Sequence, residues 1–237
     1  DIYRVFFKQP ITAHQQISEV PTFYQMQLLA LNNNVKPTEP IAEPVEIKEY
    51  YISHLFFDAN VDILTPQNNK KLDQLANLLL IYPKITAELS CFELPTGQKT
   101  FNLYFSIKKT EKAAEYLAGK GIPRSRLLLK GYGSSFPLVA KPVSNNISPL
   151  YQKLNQRLEI ALHDYESEPV IIDIEGIKVP ENLQDPKGVK FSTLSNQLFY
   201  SVQIASISQI LQNQAIESVE ELFIEVENSS GNYLYMA

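Results

Sequence analysis

The order of apolar and polar residues predicts several strands in the middle of the chain. Positions 85, 87, 89 and 91 of Ile85–Phe92 are apolar and alternate with a second set of positions. The same alternation recurs in Arg157–His163, and Tyr50–Phe57 is rich in aromatic residues. Since successive side chains of a strand point to opposite faces, these segments are typical of half-buried strands. A further strand is predicted at Arg126–Lys130.

Two helices are predicted between these strands. Leucines at helical spacing, Leu72 and Leu79 among them, indicate a helix over residues 68–82 that Pro83 ends. A second helix is expected to begin with Ser106 as its N-cap and to end at Gly119–Gly121. The order is β-α-β-α-β-β, which predicts an α/β (α+β) sandwich with both helices on one face of a sheet.

Proline-rich stretches divide the sequence into three predicted parts. Residues 1–46 are expected to form strands at Ile2–Phe7 and Phe23–Leu31, followed by a Pro/Asn linker. Residues 47–163 form the α/β domain. Residues 164–237 begin with a second linker-like stretch up to residue 190, and strands are expected at Phe199–Ser206, Leu222–Val226 and Tyr233–Ala237.

Composition excludes several classes of function. The net charge of −5 gives no basic surface for nucleic acid, and a single cysteine excludes an internal disulfide. The three histidines lack the spacing of metal ligands or of a catalytic triad, so no cofactor, metal or catalytic residue is predicted. The sequence has no apolar run long enough to cross a bilayer and no signal peptide, so any export signal or lipid anchor is expected outside it.

One acid and one base mark a candidate binding site. Glu93 follows the strand that ends near Phe92, and Lys109 lies in the first turn of the second predicted helix. A carboxylate at a strand end that faces a cation at a helix start is a geometry suited to a zwitterionic ligand. The alternative is a surface ion pair, which contributes little to stability.

Residues 47–163 contain several short motifs in a characteristic order and spacing. These motifs are Phe56–Asn60, Tyr82-Pro83, Asn102 with Phe105-Ser106, Tyr116–Pro123, Gly131–Gly133 and Asn155–Ile160. No one of them is specific, but as an ordered set they resemble the OmpA-like, peptidoglycan-associated C-terminal domain.

This resemblance implies non-covalent binding to the diaminopimelate of the peptidoglycan stem peptide. The family's aspartate and arginine fall on Glu93 and Lys109, and of two arginines in its last strand only Arg157 is kept. Lysine is a point charge where arginine offers a planar fork, so the exchange is not conservative. The implied ligand-binding residues are Glu93, Lys109, Arg157, Asn102, Asp58 and Asn60.

Residues 198–237 resemble the first part of a SPOR-like domain, a class described as binding bare glycan strands. The segment Tyr200–Ser206 and the later Gly231–Tyr235 support that resemblance. An OmpA-like domain followed by such a segment is similar to envelope proteins of Bacteroidetes-type bacteria, some of which serve gliding or type IX secretion.

Two functions follow as expectations. The first is a non-enzymatic, periplasmic protein that tethers an outer-membrane-associated assembly to peptidoglycan, with other envelope proteins as further partners. The second is a scaffold that makes protein–protein contacts without wall binding. Wall binding predicts an open cleft at Glu93 and Lys109, whereas the scaffold predicts a pocket closed by Phe92 or the Pro95 loop and an apolar patch elsewhere. Glycan hydrolysis is disfavoured because no second carboxylate is identifiable.

Overall fold

The computed structural model describes residues 47–58, 62–139, 148–183, 200–211 and 214–237. The chain divides into one unit of residues Asp1–Glu46 and another of residues Ile47–Ala237, and all described residues belong to the second. The strands predicted at Ile2–Phe7 and Phe23–Leu31 and the linker after them therefore lie outside the described residues.

Within the described part, strands and helices alternate through the central region and strands follow it. The helices are α1 (Pro66–Ile81), α2 (Lys99–Gly119) and α3 (Pro149–Asn155). The strands are β1 (Lys48–Ile52), β2 (Leu55–Phe56), β3 (Thr86–Phe92), β4 (Leu127–Gly133), β5 (Arg157–His163), β6 (Val170–Ile174), β7 (Gln203–Ile207), β8 (Phe223–Val226) and β9 (Tyr233–Met236).

Helix α1 confirms the first predicted helix to within two residues at either end. The side chain of Thr65 accepts a hydrogen bond from Asn68 N at 3.2 Å, and Pro66 occupies the first turn, where its missing N–H costs nothing. Its leucines Leu72, Leu75 and Leu79 are buried, as their spacing predicted, whereas Leu80, which belonged to the same predicted set, is exposed.

Helix α2 begins eight residues earlier than predicted. Ser106 lies inside the helix, where its Oγ donates to Leu103 O and accepts from Gly133 N, so its assignment as N-cap was wrong. The true N-cap, Gln98, makes no side-chain capping bond. Instead, Glu217 from the C-terminal region accepts hydrogen bonds from Lys99 N and Thr100 N, at 2.9 and 3.0 Å.

A seven-stranded sheet organises the described residues, in the order β2-β5-β3-β4-β8-β9-β7. Strand β3 pairs parallel with β4 and antiparallel with β5. Strand β8 pairs antiparallel with the other edge of β4, so the C-terminal strands extend the sheet of the central region. The SPOR-like resemblance and the three-part domain division remain predictions.

The strand predicted over Tyr50–Phe57 was wrong, because it is two strands in two different sheets. Strand β1 pairs in parallel with β6, which forms inside the predicted linker, whereas β2 pairs with β5. Between β1 and β2, the Nδ1 atom of His54 accepts a hydrogen bond from Ile160 N at 3.1 Å. Burial lowers the pKa of His54, which favours the neutral ring that accepts this bond. The short helix α3 was not predicted.

Both long helices pack on one face of the sheet, as predicted. Ala87, Leu89 and Cys91 of β3 belong to a single buried cluster with residues of α1 and α2. Glu88 and Ser90, at the alternate positions, are buried on the opposite face. This arrangement places the loop after β3 beside α2, where the candidate site lies.

Candidate functional site

A cleft of about 610 Å³ lies between the loop after β3 and the exposed side of α2. Charged, amide and aromatic side chains share its surface. Its lining residues are Asp62, Ile63, Glu93, Leu94, Thr96, Phe101, Asn102, Phe105, Lys108, Lys109, Lys112 and Gln156. The size is in the range of pockets that hold small ligands.

Glu93 and Lys109 meet in this cleft. The Nζ atom of Lys109 lies 2.6 Å from Oε1 of Glu93, and the glutamate side chain is only 7% exposed. The backbone of Glu93 is held in place because its N–H donates to Gly133 O at 2.6 Å. A charge-assisted hydrogen bond of this kind, partly shielded from water, is stronger than an exposed pair.

Lys109 has a second contact, with an aromatic ring. Its Nζ lies 4.2 Å from the centroid of the Phe57 ring, which is within cation–π distance. Lys109 lies in the third turn of α2, so its predicted position in the first turn was wrong. The error follows from the misplaced helix start, and the lysine still reaches Glu93.

Gln156 is a site residue that sequence reasoning missed. Its Nε2 donates to Oε2 of Glu93 at 3.3 Å, so the glutamate contacts both a cation and an amide. Its Oε1 is buried and has no hydrogen-bond partner among the described residues. A buried acceptor without a partner costs free energy, and a ligand donor in the cleft can satisfy it if the amide turns toward the ligand. The one sequence signal for it is its position between Asn155 and Arg157, inside the last motif of the resemblance.

The structure brings some of the other predicted residues to the cleft and leaves others away from it. Asn102 lines the cleft, and its Nδ2 donates to Ser134 Oγ at 3.1 Å. Asp58 is exposed and is not part of the lining. Asn60 lies outside the described residues.

Arg157 does not reach the lining of the cleft. Its side chain is fully buried, its Nε donates to Glu159 Oε1 at 2.6 Å, and its guanidinium lies 3.9 Å from the centroid of the Phe92 ring. Burial lowers the pKa of Arg157, and the adjacent Glu159 carboxylate opposes that shift. In this structure the arginine is a paired, packed residue of the sheet.

Neither of the two predicted forms of the cleft is present in full. Phe92 does not close it, because its ring stacks on Tyr132 with centroids 5.0 Å apart. Pro95, in the loop, is exposed and does not line it. However, Glu93 and Lys109 point at each other as well as into the cleft, so a ligand has to separate them.

Other chemistry has little support in the described part of the chain. No group of three or more His, Cys, Asp or Glu residues there is arranged to hold a metal ion. Cys91 is buried, and burial raises the pKa of its thiol, which keeps it protonated and unreactive. No described helix is both long and apolar enough to cross a membrane.

The chain is similar in sequence to outer membrane proteins. It is 31% identical over 140 residues to outer membrane protein A of Yersinia pseudotuberculosis, which covers 56% of this chain and 39% of that protein. It is 23% identical over 123 residues to outer membrane porin F of Pseudomonas fluorescens, covering 52% of this chain and 35% of the porin. The chain thus spans little more than a third of these relatives. Neither is named as an enzyme.

The chain is also similar to parts of solved structures. The peptidoglycan-associated lipoprotein from Burkholderia pseudomallei superposes with a TM-score of 0.40 at 19% identity, over 46% of this chain and 88% of the lipoprotein. No family model matches the chain.

The class of fold is a mixed α/β sandwich with helices on one sheet face. The similarity to outer membrane protein A supports the predicted resemblance to OmpA-like C-terminal domains.

Proposed function

We propose that this domain binds peptidoglycan non-covalently through the cleft at Glu93 and Lys109. The observation that supports the proposal is that a buried carboxylate and a lysine meet at an open cleft, beside a buried amide oxygen without a described partner. The chemistry matches the free end of diaminopimelate, which carries one ammonium and one carboxylate.

Binding exchanges one internal ion pair for two pairs with the ligand. The ligand ammonium lies between the Glu93 carboxylate and Gln156 Oε1, and the ligand carboxylate takes the Lys109 ammonium. Phe57 keeps its contact with the lysine during the exchange, so the cation is not left without a partner. The exchange satisfies the unpaired oxygen of Gln156, which the unbound cleft does not.

In the cell this binding tethers an outer-membrane-associated assembly to the wall from the periplasmic side. The named relatives are outer membrane proteins, which supports that location. Other envelope proteins are further partners in this proposal, and a role in a secretion or gliding machine remains a prediction from the sequence.

A second candidate function is a scaffold without wall binding. The observation that favours it is that Lys109 already has two internal partners, the Glu93 carboxylate and the Phe57 ring. A ligand gains less by replacing partners than by filling empty positions. The two functions differ in one result, whether the domain binds isolated peptidoglycan.

Co-sedimentation with purified diaminopimelate-type sacculi tests the proposal. We expect the wild type to pellet, and Glu93→Ala and Lys109→Ala to bind at least about tenfold more weakly, because each leaves a ligand charge unpaired in a shielded site. Free diaminopimelate added in excess should release the wild type.

Lys120→Ala is the matched control. Lys120, the C-cap residue just after α2, also forms an ion pair, with Asp73 at 2.7 Å, but does not line the cleft. This variant should pellet like the wild type. A wild type that folds, by circular dichroism, and stays in the supernatant overturns wall binding and leaves the scaffold.

A further inference from the structure

Two phenylalanines of α2 form an aromatic shelf, defined here as Phe101 and Phe105, at one end of the cleft. Their side chains are 50% and 51% exposed, although phenyl rings are usually buried. Both rings line the same cleft as Glu93 and Lys109. Since the two residues are one helical turn apart, they lie on the same side of α2.

The shelf lies at a defined distance from the charged pair. With a rise of about 1.5 Å per residue, Phe105 and Phe101 lie about 6 and 12 Å from Lys109 along the helix axis. A stem peptide has two residues between diaminopimelate and the sugar that bears it. At about 3.5 Å per extended residue these two residues span at least roughly 7 Å, because the γ-linked glutamyl residue has two additional main-chain carbons, and the lactyl ether adds further length. A ligand that is bound by its diaminopimelate and runs toward the start of α2 is therefore long enough to reach the shelf with its sugar.

We propose that the aromatic shelf is a second subsite, which binds the ring of an N-acetylated amino sugar in the glycan strand. This inference rests on the proposed wall binding and extends it from the stem peptide to the sugar. The phenyl faces carry partial negative charge, and the axial C–H groups of a pyranose carry partial positive charge, so the two stack.

The surroundings of the shelf fit a sugar better than an apolar side chain. Thr96 and Asn102 line the cleft as well and add a hydroxyl and an amide group to its surface. A sugar offers an apolar ring face together with hydroxyl and acetamido groups at its edge, and so satisfies both kinds of surface. A purely apolar occupant would bury those polar groups without partners, which is costly.

Calorimetric titration with two soluble ligands tests the subsite. One is the tripeptide L-Ala-γ-D-Glu-diaminopimelate, and the other is the same tripeptide carried by its GlcNAc–MurNAc disaccharide. We expect the wild type to bind the disaccharide-tripeptide about five- to tenfold more tightly than the tripeptide, which is the range of an aromatic stacking contact.

Variants of the shelf separate ring stacking from simple apolar contact. Phe101→Leu/Phe105→Leu keeps apolar volume but removes both ring faces, and it should lose the preference for the disaccharide while its tripeptide affinity is unchanged. Phe105→Tyr keeps a ring and should keep the preference. Tyr200→Ser is the control, because this exposed aromatic residue does not line the cleft.

The outcomes distinguish failure of the subsite from failure of wall binding. If the wild type binds both ligands equally, and the double leucine variant does the same, the subsite is overturned and wall binding stands. If the leucine variant keeps the wild-type preference, sugar stacking is likewise overturned, and the shelf is left as an apolar surface for another partner. If neither ligand binds the folded wild type, the proposed function itself fails.

Discussion

The guanidinium of Arg126 joins the end of α1 to the residue just before β3. It donates to Ile85 O through Nε at 3.0 Å, to Leu79 O through Nη1 at 2.8 Å and to Tyr82 O through Nη2 at 2.8 Å. Leu79 O and Tyr82 O belong to the end of α1, where carbonyls lack partners within the helix. Arg126 therefore caps α1 and fixes the turn into β3.

Arg126→Ala should reduce the free energy of unfolding by about 2 kcal/mol, because it removes charge-assisted hydrogen bonds and leaves helix-end carbonyls unsatisfied. Urea denaturation followed by circular dichroism measures the change. Arg124→Ala, two residues earlier in the same turn, is the matched control and should change stability by less than about 0.5 kcal/mol. Equal losses in the two variants would contradict the capping role.

At the scale of elements, α2 crosses β4 at very short range. A Cβ atom added to Gly131 would lie 2.8 Å from Ile107 N and 2.8 Å from Ser106 Oγ, and one added to Gly133 would lie 2.9 Å from Leu103 N. Gly133 also has a φ of +53°, which side chains rarely adopt. The two glycines allow the helix that carries Lys109 to lie directly on the sheet.

Gly131→Ala should destabilise the domain by roughly 1–3 kcal/mol, because the added methyl group forces α2 away from β4. The same displacement should weaken sacculi binding, since Lys109 moves with the helix. Thermal unfolding and co-sedimentation are the two measurements. Gly119→Ala, at the end of α2 with open space around its Cβ, should leave both unchanged or raise stability slightly. A tolerated Gly131→Ala would show that the contact is not tight.

The sequence predicted elements well where local pattern determines them. The side chain of Thr65 caps α1, Pro66 lies in its first turn and Pro83 follows its end. Its limits were therefore predicted within two residues. The start of α2 was not, because its capping carboxylate comes from Glu217, more than a hundred residues later. The proximity of Glu93 and Lys109 was expected from their positions at a strand end and near a helix start, whereas the role of Gln156 depends on a contact between distant segments.

At the scale of the whole molecule, the C-terminal segment holds the cleft-bearing helix. Glu217 accepts from Lys99 N, Thr100 N and Thr100 Oγ1, and these contacts lower the pKa of its carboxyl, the backbone bond from Thr100 being the largest cause. A negative charge at a helix N-terminus is also favourable to the helix dipole. The C-terminal segment thus helps to fix the start of α2, two residues before Phe101 of the aromatic shelf.

Glu217→Gln should lower the melting temperature at pH 7. Because the folded pKa lies below the unfolded value of about 4.3, the stabilisation by the carboxylate is fully present above that pH and is lost as the pH falls through the folded pKa. The difference in melting temperature between wild type and variant should therefore shrink below about pH 4.3. Glu220→Gln, an exposed neighbour, is the control. A difference that is independent of pH would contradict the carboxylate's role.

Long-range pairing is the part of the fold that the sequence did not predict. The pairing of β6 with β1 and of β8 with β4 joins segments that are about a hundred residues apart. Alternation of apolar residues indicates that a segment is a strand, but it does not say which strand lies beside it. For this reason β6 was not predicted within the stretch that was expected to be a linker.

The pairing of β8 with β4 also constrains how the chain reaches this structure. During synthesis β4 emerges well before β8, so one edge of β4 has no neighbour while the intervening residues are made. Contacts between residues so far apart close slowly, because the intervening loop has to lose entropy first. The nascent domain therefore passes through a stage with an unpaired strand edge, a feature that in general favours pairing with other chains.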